Sequence, residues 1–312
     1  MHQVLEKIKA AKHIVLITHM NPDADSMGSA SAFYSYLLQV QKKITLFSYT
    51  KAIDPRLMFL PWVDKLKHSV PKSCDLAISF DCGSLSRLGV VVDIELINFD
   101  HHMSNERFAC LNVVDESAIS TTRVIYDYFI SQGVKINPKM ATALYAGLVD
   151  DSQNFMSDKT DANTFAMAQT LLEKGADKSA VIKHLFQTSP LSLLRLKGLM
   201  FSNMVLELNA QIVVHKVTQA MLDATGAVFG DCEAALEASL YLPTVSVALL
   251  FCELKDGTIK GSIRTDGTID ASSIADNYDG GGHLHAAGFR CSHTTLDDAC
   301  QKLIKDILEK KK

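Results

Sequence analysis

Paired cysteines, long apolar runs and an excess of one charge are all missing from this chain. Seven cysteines (Cys74, Cys82, Cys110, Cys232, Cys252, Cys291 and Cys300) are scattered without a C-x-x-C spacing, and their odd count points to a reducing cytosol. No run approaches the ~18 apolar residues that a membrane span requires. The first residues, with Val4, Leu5 and Ile8 interrupted by Glu6, Lys7 and Lys9, lack the apolar core of a secretory leader. A soluble cytoplasmic protein with no membrane partner is expected. The net charge of −4 argues against a long basic groove, and so against long duplex nucleic acid. Short substrates fit better. No Gly/Ser-rich tract is present to act as a flexible linker.

What the chain does contain is enough apolar residue, 47% of 312, for two ordinary domains. In the first half, apolar runs at Val15–Thr18, Ile44–Ser48, Leu76–Phe80 and Ile94–Phe99 read as strands, with a helix over Ser26–Leu38. This alternation predicts an α/β fold with a doubly wound parallel sheet, covered on both faces, whose ligands gather at the carboxyl ends of the strands. Helical patterns run from Thr121 to about Leu185. The last third reads as a smaller α/β domain with a mixed sheet. Its strands fall at Gln211–Val217, Thr244–Leu254 and Ile259–Arg264, the last two joined by a hairpin at Asp256-Gly257. Helices follow at Ala271–Tyr278 and Leu296–Leu308, and the closing Lys310–Lys312 reads as a solvated helix end. The expected division is a catalytic domain over 1–187, a linker helix over 188–207 and a substrate-binding domain over 208–312, with the active site in a cleft between the domains.

The first strand runs into His19, Asp23 and Asp25, an imidazole and two carboxylates within seven residues. Carboxylates crowded at the end of a buried strand repel one another and are poorly solvated, and divalent cations remove both problems. Asp81 follows a second strand, Asp100-His101-His102 a third, and Asp150-Asp151 a helix. Two divalent metal ions with one bridging carboxylate account for this surplus of ligands. Oxygen and imidazole donors without thiolate suit Mn²⁺, with Mg²⁺, Zn²⁺, Fe²⁺ and Co²⁺ left open. Cys82 should point away from Asp81 as a small buried residue. Ser120-Thr121-Thr122, before a helix, suits either an N-cap or a phosphate-contacting turn. His13, His68, His184, His215 and His293 read as surface or satisfied core residues.

Four ordered stretches, THMNPDADSMGS, FDCG, FDHH and GLVDDSQNF, resemble the DHH phosphoesterases. The later GGGHLHAAGF resembles the signature of the DHH-associated C-terminal domain, so the resemblance spans nearly the whole chain. It implies one metal held by His19, Asp23 and Asp81, and a second held by Asp25, Asp81, His101 and Asp151. Asp81 is then the bridge. His102 would face the scissile phosphate, with Asp100 orienting the histidines. The second domain would bind the other end of the substrate through Arg264, Gly280, Gly281, Gly282, His283 and His285, with Ser120 and Thr121 as further contacts.

The compact two-domain length resembles the nano-RNase branch, which cleaves short oligoribonucleotides and removes the 3′-phosphate of adenosine 3′,5′-bisphosphate (pAp). A cyclic or linear dinucleotide signalling phosphodiesterase is the alternative, and a non-hydrolytic nucleotide-binding module the alternative of another class. A homodimer is left open. The chain departs from the family pattern at Asp150-Asp151-Ser152-Gln153, where relatives commonly read T-D-T-G, and at Met156, where they often carry arginine. The ligand is assigned to Asp151.

Overall fold

The computed structural model describes residues 2–310, with positions 311 and 312 of the expected lysine helix end outside them. The chain divides after Thr188 into two compact units. The first begins with helix α1 (His2–Ala10), strand β1 (His13–Thr18), helix α2 (Ala24–Gln39) and strand β2 (Lys43–Phe47). Strands β3 (Leu76–Phe80), β4 (Glu95–Asp100) and β5 (Leu111–Val114) follow, then helices α3 (Thr121–Ser131), α4 (Pro138–Asp151), α5 (Ala162–Glu173) and α6 (Lys178–Phe186). All strand pairs are parallel and the order is β2-β1-β3-β4-β5. The order reverses between β1 and β3, the place where an open α/β sheet leaves a crevice at its carboxyl edge. His19 and Asp81 are the first residues beyond these two strands.

The two faces of this sheet are covered differently. Ile14, Leu16, Ile78, Phe80, Ile97 and Phe99 pack with the helices in the main core. The alternate residues Val15, Ile17, Ala77 and Leu96 pack instead under irregular chain carrying Val70, Val90, Val92 and Phe108. Only the β1-to-β2 connection is an α-helix, since Pro55, Pro61 and Pro71 punctuate the next one and Gly83 and Gly89 the one after. On the helical face α2 and α4 pack closely. A Cβ at Gly28 would stand 2.5 Å from the Ala143 carbonyl oxygen, and one at Gly147 would stand 2.5 Å from Asp25 Oδ1. Glycine at both positions therefore brings the start of α2 against the end of α4, and with them Asp25 and Asp151.

The second unit contains helix α7 (Leu191–Ser202), strands β6 (Val205–Glu207) and β7 (Ile212–Val217), and helices α8 (Gln219–Thr225) and α9 (Glu233–Ser239). Strands β8 (Val247–Glu253) and β9 (Ile259–Thr265), helix α10 (Ala271–Ala275), strands β10 (Gly281–Gly282) and β11 (Ala286–Cys291) and helix α11 (Leu296–Lys310) complete it. Its sheet runs β10-β11-β9-β8-β7-β6, mixed because β7 and β8 are parallel while the other pairs are antiparallel. Helix α7, expected as a connector, buries Leu196 and Met200 in the core of this unit. Among the described residues no helix is long and apolar enough to cross a membrane.

Candidate metal centre

Each candidate side chain is held by a local feature of the chain. Asp23 caps α2, its Oδ1 accepting from Ser26 N–H at 2.9 Å, and its Oδ2 lies 3.5 Å from His19 Nε2. His19 is buried, and its Nδ1 lies 2.8 Å from the Met20 carbonyl oxygen. That carbonyl accepts a hydrogen bond from Nδ1–H, which in the neutral ring leaves Nε2 as a lone pair directed at carboxylates. His101 repeats the device, with Nδ1 3.2 Å from the Ala118 carbonyl oxygen. Its Nε2 is 3.2 Å from Asp151 Oδ2 and 3.6 Å from Asp81 Oδ1.

Asp81 is the common neighbour. Its Oδ2 is 3.3 Å from His19 Nε2, and its Oδ1 is 3.6 Å from both His101 Nε2 and His102 Nδ1. The backbone at Asp81 is left-handed, with φ 58°. A non-glycine residue in this region is strained, and such strain collects at functional sites. Here it turns the carboxylate of a residue following a buried strand into the crevice.

Asp25 is fully buried, and both its oxygens accept from the first turn of α3. Thr121 N–H donates to Oδ2 at 2.6 Å and Thr122 N–H to Oδ1 at 2.9 Å. Thr121 Oγ1 also donates to Asp81 Oδ1 at 2.9 Å. Ser120 caps α3 through its hydroxyl and is fully buried. Thr121 thus stands against the carboxylates of Asp25 and Asp81, while Ser120 takes the N-cap role that was one of the two expected for this turn. Asp150 and Asp151 diverge as neighbours on a helix must. Asp151 meets His101, whereas Asp150 Oδ2 accepts from Ala24 N–H at 3.2 Å.

Three donor groups emerge, His19/Asp23/Asp81, Asp25/His101/Asp151 and Asp81/His101/His102, each with ligand atoms within 4.8 Å of one another. The donor set fits divalent cations. His19 Nε2 is buried without a hydrogen-bond partner, a lone pair facing two carboxylates, and only a positive charge between them resolves that contact. In the protein alone protons take this part. Burial would lower His19, but Asp23 and Asp81 outweigh it and raise its pKa to about 10. Burial is likewise outweighed at His101, which Asp151 and its neighbouring carboxylates raise to about 9. Burial and the charges of Asp151 and Asp81 push Asp25 well above the usual carboxylate range, and burial also raises Asp151. Burial and Asp23 bring the Asp150 carboxyl to about 6.

His102 stands apart from this exchange. Its Nδ1 donates to Asp100 Oδ1 at 2.7 Å, and its side chain is 36% exposed, so Nε2 is left for another partner. Asp100 is fully buried and also accepts from Asn105 Nδ2. Burial would raise the Asp100 carboxyl, but these bonds hold it below its ordinary range, and its bond in turn raises His102. Cys82 is buried with its thiol donating to the Ser84 carbonyl.

In the second unit Arg264 pairs with Glu233, Nη2 to Oε2 at 2.7 Å, and lines an open hollow of about 370 Å³ with Lys260, Gly281 and Gly282. Gly280 and Gly282 are needed for close packing: a Cβ at Gly280 would collide with the Gly288 carbonyl, and one at Gly282 with that of Ala286. Gly281 faces open space, with no neighbour nearer than 4.0 Å. His283 N–H closes the turn onto the Ala286 carbonyl at 2.8 Å, and His285 Nδ1 lies 3.3 Å from the Thr265 carbonyl. Sequence reasoning missed the supporting residues Asn105, Arg87 and Gly147, and took Thr122 only as part of the turn before a helix. Thr122 acts through its backbone and Gly147 through a missing Cβ, so neither shows a side-chain pattern. Asn105, three residues after the histidine pair, is the one with a visible signal.

A parallel sheet that gathers imidazoles and carboxylates around one shared aspartate at its carboxyl edge defines a phosphoesterase-type centre. The chain belongs to the DHH family of phosphoesterases: residues 13–148 match the DHH family, N-terminal domain, and residues 209–310 the DHHA1 domain. It is 31% identical to the bifunctional oligoribonuclease and PAP phosphatase NrnA of Thermus thermophilus, over 99% of this chain and 94% of that protein. The protein of the same description from Bacillus subtilis is 27% identical over 92% of this chain and 91% of its own length. An exopolyphosphatase-related protein from Bacteroides fragilis shares the fold, with a TM-score of 0.88 at 23% identity, covering 99% of this chain and 95% of that one.

Proposed function

We propose that this phosphoesterase hydrolyses short oligoribonucleotides and removes the 3′-phosphate of pAp, with two divalent cations, Mn²⁺ foremost. One is held by His19, Asp23 and Asp81 and the other by Asp25, Asp81, His101 and Asp151. When bound, such cations neutralise phosphate oxygens and supply Lewis acidity. The observation that carries this reading is the position of Asp81, whose two oxygens lie 3.3 Å from His19 Nε2 and 3.6 Å from His101 Nε2, beside a buried His19 Nε2 that lacks a hydrogen-bond partner. The names of the Thermus and Bacillus relatives supply the substrate class.

Both reactions break the same bond. Water adds to phosphorus, the O3′–P bond breaks and the departing O3′ takes up a proton. The difference lies beyond the phosphorus, where pAp ends and an oligonucleotide carries its next nucleoside. Asp100 holds His102 at Nδ1, so that Nε2–H can donate to an oxygen of the reacting phosphate as charge develops. Thr121 and Thr122 keep the carboxylates of Asp25 and Asp81 from rotating during turnover. In the second unit Arg264 and Gly281 bind anionic groups of the nucleotide, aided by His283 and His285.

The test is a Mn²⁺-supplemented panel of pAp, pGpG, a 5-mer RNA, a 24-mer RNA, cyclic dinucleotides and pyrophosphate. Turnover of pAp and the short RNAs is expected. Faster cleavage of the 24-mer than of the dinucleotide would refute the reading. Retained activity after Asp81→Ala would refute the assignment of Asp81 to both cations.

A further inference from the structure

The rim of the metal centre carries an aromatic face that none of the metal-centre roles above uses. Tyr49, two residues beyond β2, is 56% exposed although a close packing contact fixes its base. Gly89 sits beneath it in the left-handed region, φ 67°. A Cβ there would lie 2.5 Å from Tyr49 Cγ and 3.0 Å from Met20 Cγ, so only glycine allows the ring to rest against the loop that follows His19. A second tie lies next door, where Asn21 N–H donates to Thr50 Oγ1 at 2.7 Å. The residue is thus held at its Cβ–Cγ base while more than half of its surface is exposed. That is the arrangement of a stacking platform rather than of a core residue.

Arg87 supplies the second observation. Its carbonyl accepts from Met20 N–H at 2.8 Å, and its guanidinium Nη2 lies 3.2 Å from His19 Nδ1. Among the described residues no carboxylate lies within ion-pair distance of this guanidinium, as for Arg195 and Arg290, whereas Arg56, Arg107, Arg123 and Arg264 each have one. The rim beside His19 therefore offers a cation and an aromatic ring, the complements of the two groups of a nucleoside 5′-phosphate, its phosphate and its base.

We propose that Tyr49 stacks on the base of the nucleotide beyond the scissile phosphate, the one that retains the phosphate when the O3′–P bond breaks, with Arg87 beside that phosphate. This rests on the oligoribonuclease reading and extends it, since pAp lacks that nucleoside altogether. Tyr49 is then a specificity-determining residue that separates dinucleotides from the bisphosphate nucleotide, independent of base identity because every base offers a π face.

The experiment compares wild type, Tyr49→Ala and Tyr49→Phe in the full chain. It measures kcat and KM for pGpG and pAp with Mn²⁺, and equilibrium binding of a hydrolysis-resistant phosphorothioate dinucleotide. Tyr49→Ala is expected to raise the ratio of the dinucleotide KM to the pAp KM about tenfold, the scale of one base stacked on an aromatic ring, and to weaken phosphorothioate binding alike. Tyr49→Phe keeps the ring and should restore both. Equal losses on both substrates, an unchanged ratio, or failure of phenylalanine to rescue would each overturn the proposal. If the wild type hydrolyses neither substrate, the oligoribonuclease reading falls, and the binding comparison alone still decides whether Tyr49 stacks on a base.

Discussion

Asp25 and Thr121 lie 96 residues apart, yet the Thr121 N–H donates to Asp25 Oδ2 at 2.6 Å, one of two backbone bonds that lock this carboxylate to the first turn of α3. The start of a helix offers free N–H groups and a partial positive charge, so α3 supports a buried carboxylate that its neighbours Asp81 and Asp151 destabilise. The lock works only because Gly147 leaves room, since a Cβ there would stand 2.5 Å from both Asp25 Oδ1 and Thr122 Cγ2.

Gly147→Ala should therefore act on the metal centre without replacing any donor residue, by crowding the Asp25 carboxylate. Overpacking at this contact is expected to cost ~1–3 kcal/mol of stability in urea titrations and to weaken Mn²⁺ binding about 10–100-fold, as loss of a ligand's supporting contacts does. Gly198→Ala is the control. It lies within α7, where an added Cβ would meet nothing within 4 Å, and should gain about 0.5–1 kcal/mol with metal affinity unchanged. Unaltered Mn²⁺ affinity in Gly147→Ala would show that Asp25 does not depend on this packing.

The pair Asp100 and His102 predicts a change in rate and in pH profile together. Asp100→Asn removes the carboxylate that accepts from His102 Nδ1 at 2.7 Å and raises the imidazole pKa. A fall in kcat of about 10–100-fold is expected, with little change in KM. The imidazolium should also be lost at lower pH than in the wild type, moving the alkaline limb of the kcat profile downward. A limb that stays in place would mean that the titration belongs to another group.

The donor side chains were legible because each sits where a buried strand or a helix ends, and polar residues in such places stand out against apolar runs. His19 after β1, Asp81 after β3 and His101 after β4 are all of this kind. Asp151 was assigned over Asp150 by resemblance alone; adjacent helical residues differ by about 100° in direction, and Asp151 is the one that faces His101. What supports the donors was hidden. The amides of Thr121 and Thr122 would be offered by almost any residue type, and the irregular covering of the second sheet face leaves no periodic pattern. Strand β5, four half-buried residues, is too short to show alternation. The glycine run was legible as a motif but not in its physics, since Gly280 and Gly282 answer to strand packing and Gly281 alone is open.

Arg264 offers a separable test in the second unit. Its ion pair with Glu233 is partly exposed, and an exposed pair contributes less than about 1 kcal/mol, so stability should change little in Arg264→Ala. KM for pAp and dinucleotides should rise about tenfold, the loss of one charge-assisted hydrogen bond, with kcat retained. Glu233→Gln keeps the arginine while weakening its partner, and KM should stay level or fall. A matching rise in KM for both variants would mean that the pair matters as a unit of structure and that Arg264 does not hold the substrate.

His215 sets a pH dependence that belongs to folding and not to catalysis. It is 1% exposed, with Nδ1 donating to the Met200 carbonyl at 3.2 Å and Nε2 lying 2.7 Å from Ser239 Oγ, so a neutral imidazole satisfies both nitrogens. Burial holds its pKa below the ordinary 6.5, and the bond to Met200 offsets only part of this. A histidine that is harder to protonate when folded makes the unfolded chain the better proton acceptor, so its contribution is complete above pH 6.5. That contribution is lost as pH falls from there toward the folded pKa, by at most about 1.4 kcal/mol per pH unit. Urea midpoints of the metal-free full chain at pH 7.5 and 5.0 should fall more in the wild type than in His215→Gln, which has no proton to gain. Equal falls would place the acid sensitivity elsewhere, first among the carboxylates and imidazoles around Asp81.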